Sequence, residues 1–250
     1  MNKKLFSTTA LMLSVLSGCV FTSCLNTDDD DRENIAAGYF TTDGNATQII
    51  LHQDGGGTVF PLMSSFKNVE TFLKNERYIL QFKYRKGDIS DDEMTVTGAE
   101  IIAGEMIDVH DVLLADNPVV PVFNNTDSLF DISSISNAWA YRGYLTVLAK
   151  AYYSMVDSSK GVLPTYNVIV DPANDVQPNR VRLTLCYNRH TAHDAKPSPS
   201  LYEMATSFRL SPLASIVPGN DSIEISIEGK SLNRPTIFKV SRADLQKSYK

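Results

Sequence analysis

The sequence predicts an all-β protein, a small OB-like barrel followed by an antiparallel β-sandwich. Three observations carry that prediction. Short β-branched and aromatic runs dominate the chain, Asp-Gly and Gly-Gly steps separate the early ones, and the spacing lengthens beyond about residue 120. Helical periodicity is confined to two short stretches, Ser65–Leu73 and Ser241–Lys250.

Residues 1–24 read as a bacterial lipoprotein signal. Lys3 and Lys4 lead into an apolar run from Leu5 to Val20, which is shorter than the ~20 residues a membrane-spanning helix needs. Two cysteines then sit behind small residues, in Leu16-Ser17-Gly18-Cys19 and Phe21-Thr22-Ser23-Cys24. Both segments resemble the lipobox, whose cysteine thiol takes the diacylglycerol. Leu16, at the third position before the cysteine, favours Cys19. Thr22-Ser23 and the nearby acidic tract favour Cys24, and together they outweigh Leu16. Two or more acyl chains give the stable anchoring that one chain does not. Residues 25–35, with Asp28 to Asp31, are expected to be an acidic tether held open by self-repulsion.

The barrel is expected over residues 36–110. Ala36–Thr42 leads through a turn at Asp43-Gly44-Asn45 into Ala46–Gln53, and Asp54-Gly55-Gly56-Gly57 turns the chain into Thr58–Met63. Glu76–Lys86 alternates, with Tyr78, Leu80, Phe82 and Tyr84 on one face and Arg77, Gln81, Lys83 and Arg85 largely on the other. Met94–Ile107 is long enough to bend at Gly98 or Gly104. Five strands within about 75 residues suit a closed barrel. Asp108 to Pro121 reads as a connector between the two domains.

The sandwich is expected over residues 119–242. Ala138–Tyr153 is one strand or a strand pair, with a bulge at Gly143. Pro164–Asp171, Arg180–Asn188, Ala205–Leu210, Ser222–Glu228 and Thr236–Val240 complete a set of about six. No repeat is present.

Charge and cysteine usage narrow the function. The formal net charge of −6 becomes about −8 once Lys3 and Lys4 leave with the signal. An acidic chain without a Lys/Arg block repels phosphate backbones, which argues against a nucleic-acid partner. With Cys19 removed and Cys24 acylated, only Cys186 remains, so the core must hold without a disulfide.

The order of parts resembles the NigD-like lipoproteins of Bacteroidota. A lipoprotein signal and acidic tether precede an OB-like barrel. Trp139 and Tyr141-Arg142-Gly143-Tyr144-Leu145-Thr146-Val147 follow, then Arg182-Leu183-Thr184-Leu185-Cys186-Tyr187-Asn188 and Ser207-Phe208-Arg209-Leu210. Where that family shows a His-Asn step, this chain has Tyr187-Asn188, with His190 two residues on. The resemblance implies an N-terminal OB domain and a C-terminal β-sandwich, and it supplies no catalytic set. In Bacteroidota, acidic residues after the lipid cysteine resemble an export signal to the outer face of the outer membrane. Cell-surface display is therefore expected, with the periplasmic face as the alternative.

Several clusters carry side chains capable of chemistry. His190, His193 and Asp194 carry zinc-ligating side chains, but they lie beside Lys196-Pro197-Ser198-Pro199, as a solvated loop would, so they are weak metal candidates. The glycine run Gly55–Gly57 lacks P-loop spacing and reads as a turn. No GxSxG elbow is present, Cys186 has the alternation of a packed residue, and no motif calls for a cofactor. Trp139, Tyr141, Tyr144, Tyr152, Tyr153, Tyr166 and Tyr187 concentrate in the second domain, where they either stack on sugars or fill the core. Asp127-Ser128-Leu129 and Asp221-Ser222-Ile223 resemble Bacteroidota O-glycosylation sites, making Ser128 and Ser222 candidates. The expectation is a non-enzymatic, lipid-anchored envelope protein with a protein or glycan partner. A carbohydrate-binding accessory lipoprotein and a bacteriocin-related, immunity-type protein are the alternatives.

Overall fold

The computed structural model describes residues 32–74, 76–116, 132–152, 165–188, 201–218, 222–228 and 236–246. Its first half is a closed barrel of β1 (Glu33–Asn45), β2 (Gln48–Gln53), β3 (Thr58–Pro61), β4 (Arg77–Arg85) and β5 (Thr95–Met106), in the order β1-β2-β3-β5-β4. One long strand closes it. The N-terminal part of β1, Glu33 to Thr41, pairs antiparallel with β4, while Phe40 to Asn45 pairs with β2. The pairing of β3 with β5 is parallel.

Alternation fills the barrel as the sequence predicts: Phe40, Ile49, Leu51, Val59, Leu80, Phe82 and Val96 are fully or almost fully buried inside it. A five-residue helix, α1 (Val69–Leu73), packs against it. Five residues do not hold a helix alone. Asn68 caps it by accepting the Thr71 amide proton at 2.9 Å, and Phe72 stacks on Tyr78 with ring centroids 4.2 Å apart.

Two readings in this half are corrected. Asp43, Gly44 and Asn45 stay in β1 and the turn falls at Ala46-Thr47, because the Asn45 side chain accepts the amide protons of Thr47 and Gln48. Glu33 to Ile35, expected in the tether, belong to β1, where β4 supplies their backbone partners. Asp28 to Asp31 lie outside the described residues.

Ile107 alone separates β5 from β6 (Asp108–Asp111), and β7 (Leu113–Leu114) follows. Much of the expected connector is therefore strand. The polar residues Asp108, His110 and Asp111 masked it, and pairing with distant strands supplies what local pattern does not. The remaining strands are β8 (Ile132–Tyr141), β9 (Tyr144–Tyr152), β10 (Thr165–Val170), β11 (Val176–Gln177), β12 (Arg180–Asn188), β13 (Leu201–Arg209), β14 (Ser222–Glu228) and β15 (Thr236–Ser241). One sheet runs β6-β13-β9-β8. The other runs β15-β14-β12-β10-β7, with β11 beside β12.

Side chains from both sheets share one core, including Leu145, Val147, Phe208, Val168, Leu183, Leu185 and Ile225. A second short helix, α2 (Arg242–Gln246), adds the buried Leu245. Gly143 is a turn residue, not a bulge. With Arg142 (φ 48°) and Gly143 (φ 83°) it makes the two-residue connection that matches strand twist, and the irregularities fall in β8 instead. Most pairings are antiparallel, but β6–β13, β7–β10 and β12–β14 run parallel.

Candidate functional site at the barrel–sandwich junction

The outward positions of β1 and β4 at one end of the barrel face the outward positions of β8, β9 and β13. Alternation puts Arg77 on the outer barrel face, as expected from the sequence, yet its side chain is fully buried. The second domain covers it.

Every donor of that guanidinium is used. Nη1 donates to Thr41 Oγ1 at 2.8 Å and to Asp54 Oδ1 at 2.6 Å, Nη2 donates to Asp54 Oδ2 and to Thr146 Oγ1, and Nε donates to Ser207 Oγ at 3.3 Å. Five N–H groups meet five acceptors, three from the barrel and two from the sandwich. The pair with Asp54 is the two-pronged geometry that suits arginine and a carboxylate. Asp54, 7% exposed, also accepts the Trp139 indole N–H at 2.7 Å. Tyr39 meets the Trp139 ring edge-on at 4.9 Å, and the Arg77 guanidinium lies 5.4 Å from the centroid of the Tyr144 ring.

A second cluster adjoins the first. Glu76, one residue before Arg77, accepts from the Tyr144 hydroxyl at 2.8 Å and from Arg209 Nε and Nη2 at 3.0 and 2.8 Å. Arg209 Nη1 donates to Asp111 at 3.1 Å. Burial, and then the hydrogen bond to Glu76, push the Tyr144 hydroxyl pKa upward. Burial, together with the charges of Glu203 and Asp54, raises that of Tyr39 to about 12. The bond to Glu76 and the further bond to Asp111 hold Arg209 firmly protonated.

The chemistry of this arrangement is cohesive. A guanidinium with all five donors engaged has none to offer a ligand, and its acceptors come from both domains. Neither Arg77 nor Asp54 stood out in the sequence as a partner for the other, since their spacing follows no motif.

The aromatic residues considered for sugar stacking divide. Tyr144 and Tyr166 are buried, Trp139 and Tyr141 are half-buried, and Trp139 is engaged with Asp54. Tyr153 and the side chains of Tyr152 and Tyr187 lie outside the described residues. So do Cys19, Cys24, Ser128, His190, His193 and Asp194. Ser222 is exposed at the start of β14, opposite Ser241. Cys186 is buried with Ile169 beneath Leu113 and Ala115, and that burial pushes its thiol pKa up to about 11. Among the described residues, no three His, Cys, Asp or Glu side chains gather as a metal site requires, and no helix is long and apolar enough to cross a membrane.

Solved structures share this architecture. A NigD-like immunity protein from Bacteroides caccae aligns with a TM-score of 0.54 and 13% identity, over 82% of this chain and 96% of its own. A candidate lipoprotein from Bacteroides fragilis gives 0.57 and 9%, over 84% and 98%. A candidate toxin-related protein from Parabacteroides distasonis gives 0.56 and 17%, over 84% and 96%. No protein-family profile matches the chain, and no curated protein matches it. The likeness is one of fold, and it extends across both the barrel and the sandwich. It agrees with the resemblance drawn from the sequence to the NigD-like lipoproteins.

Proposed function

We propose that this protein is a non-enzymatic interaction protein of the cell envelope, held to the outer membrane by acyl chains on Cys24 and displayed on the cell surface. The observation that carries the reading is the N-terminal order of cationic start, short apolar run, cysteine and acidic tract. The likeness of the rest of the chain to a candidate lipoprotein supports it. The tether leads into a barrel domain that begins with β1 at Glu33 and ends with β5 at Met106, and a sandwich domain that begins with β6 at Asp108.

Metabolic labelling with an alkynyl palmitate tests the anchor. Label is expected on the wild type and on Cys19→Ala, and is lost in Cys24→Ala. The reverse pattern moves the anchor to Cys19, and label surviving in the double variant refutes lipidation at either cysteine. Protease added to intact cells then reads the face: digestion supports surface display, and protection places the protein on the periplasmic side.

The partner is assigned as a protein. Burial of Tyr144 and Tyr166 removes two of the aromatics a sugar platform would use, and immunity and toxin-related proteins are among those sharing the fold. Saturable binding to a panel of glycans, abolished by Tyr141→Ala, would overturn that assignment. Ser222, exposed beside Asp221, is assigned as an O-glycosylation site. A glycan mass on the wild type that Ser222→Ala lacks is the expected result.

A further inference from the structure

The junction is asymmetric, and its two sides are built differently. On one side the chain itself crosses between domains at Ile107, whose amide donates to the Arg77 carbonyl at 3.1 Å. Beside that crossing, Glu76 is gripped by Tyr144 and Arg209 of the sandwich.

The other side depends on Asp54, which sits on the loop between β2 and β3. Three successive glycines follow it, Gly55, Gly56 and Gly57, all with positive φ (89°, 121° and 91°). Glycine adopts this backbone without steric cost, and few other residues would. The loop tip is open: a Cβ at Gly55 would meet no atom within 4 Å, and one at Gly56 would meet only the end of Met94. The carboxylate is thus buried at the base of a loop whose tip is open, and the backbone there is held by the Asp54 amide, which donates to the Tyr39 carbonyl at 2.9 Å, and by the Gln53–Gly57 turn.

Asp54 performs two tasks. It fixes the plane of the Arg77 guanidinium, so that the remaining N–H groups point at Thr146 and Ser207. It also takes the indole N–H of Trp139. Withdrawing this one side chain loosens both attachments and leaves the Glu76 cluster intact.

We propose that the Asp54 loop is a latch between barrel and sandwich. When it releases, the sandwich pivots about Ile107 and the Glu76 cluster, and Trp139 and Tyr39 emerge from the junction. This is a local opening of lower cost than global unfolding. It is independent of the lipid anchor and of the partner assigned above.

Trp139 is the chain's only tryptophan, so its fluorescence reports on the latch directly. In a urea titration of the full chain, acrylamide quenching of Trp139 is expected to rise before the far-UV circular dichroism of the sheets is lost. Asp54→Asn is expected to shift the early quenching step to lower urea by more than it shifts the dichroism. Quenching and dichroism moving together, in wild type and variant alike, would overturn the latch. Should Asp54→Asn not fold, Thr146→Val and Ser207→Ala remove the sandwich-side acceptors. Either must advance quenching ahead of dichroism, and parallel shifts in both signals overturn the proposal. Glu224→Gln, which removes the charge opposite the exposed Arg180 on the far sheet, is expected to leave the order of the two signals unchanged.

Discussion

Arg77→Met measures what the buried ion pair is worth. The guanidinium is fully buried and Asp54 is 7% exposed, so the substitution leaves a carboxylate in the junction with the Trp139 N–H as its remaining described donor. Breaking a buried pair in this way costs about 3–5 kcal/mol. A folded domain is stable by only about 5–15 kcal/mol, so the loss is a large fraction of the whole. Thr146 and Ser207 keep each other as partners at 2.9 Å, so most of the cost falls on Asp54. Asp54→Leu strands the opposite charge and is expected to cost a similar amount. The double variant Arg77→Met/Asp54→Leu removes both charges, and the expected outcome is stability within about 1–2 kcal/mol of wild type, since apolar replacement of a buried pair is often neutral. Urea denaturation provides the assay, with the midpoint and slope giving each free energy and the cycle giving the coupling. Single variants that each lose less than about 1 kcal/mol would show that the pair does not hold the junction.

Two further predictions concern backbone and thiol. Gly44 has φ +110°, and a Cβ there would lie 2.1 Å from the Gln48 carbonyl oxygen. Gly44→Ala is therefore expected to lower stability by about 2 kcal/mol or more, whereas Gly87→Ala, which meets no neighbour within 4 Å, stays within about 0.5 kcal/mol by the same urea measurement. The thiol of Cys186 is raised from 9.0 to about 11 in the folded chain. Below pH 9 both states keep the proton and nothing changes. As pH rises from about 9 to 11, the unfolded chain releases it and the folded chain does not, so stability falls by up to about 2–3 kcal/mol. Subtracting the pH profile of Cys186→Ala isolates that loss from the tyrosines, and a wild-type profile parallel to the variant's between pH 9 and 11 would refute it.

The sequence made the barrel legible because its information is local. Tyr78, Leu80, Phe82 and Tyr84 declare an inner face by alternation, and the glycines from Gly55 to Gly57 mark the reversal between β2 and β3. The strand from Arg180 to Asn188 is legible for the same reason, whereas the single glycine at Gly143 suits a bulge as well as the turn it forms. Other features are not local. Parallel pairing of β12 with β14 leaves the same alternation in each strand as antiparallel pairing would. Asp108 to Asp111 pairs with Thr206 to Arg209 from nearly a hundred positions away, and its own polar residues resemble a linker. The junction was the least legible part. Alternation correctly turns Arg77 outward, but nothing near it says that the outward face at that point is covered. The only trace is that short hydroxyl residues, Thr41, Thr146 and Ser207, occupy outward strand positions where long charged side chains stand further along the same strands.

The junction also bears on how the described residues hold together, since Cys186, the cysteine among them, is a free thiol. A barrel of about 75 residues buries a smaller fraction of its chain's surface than a larger domain does and is only marginally stable on its own. Severed from the sandwich, it would expose Tyr39, Thr41 and Arg77, all fully or nearly buried in the whole chain, and would strand the Asp54–Arg77 pair in a half-made network. The sandwich would equally expose Tyr144 and the hydroxyls of Thr146 and Ser207. Covering these faces with one another buries surface that neither core reaches, and the single-residue crossing at Ile107 keeps the two domains adjacent at little entropic cost. Polar contacts suit this role better than an apolar seam. Their geometry admits one register, with five donors against five acceptors, so the two domains dock in one orientation. The sandwich is therefore held at a fixed angle to the barrel for as long as the Asp54 loop stays in place.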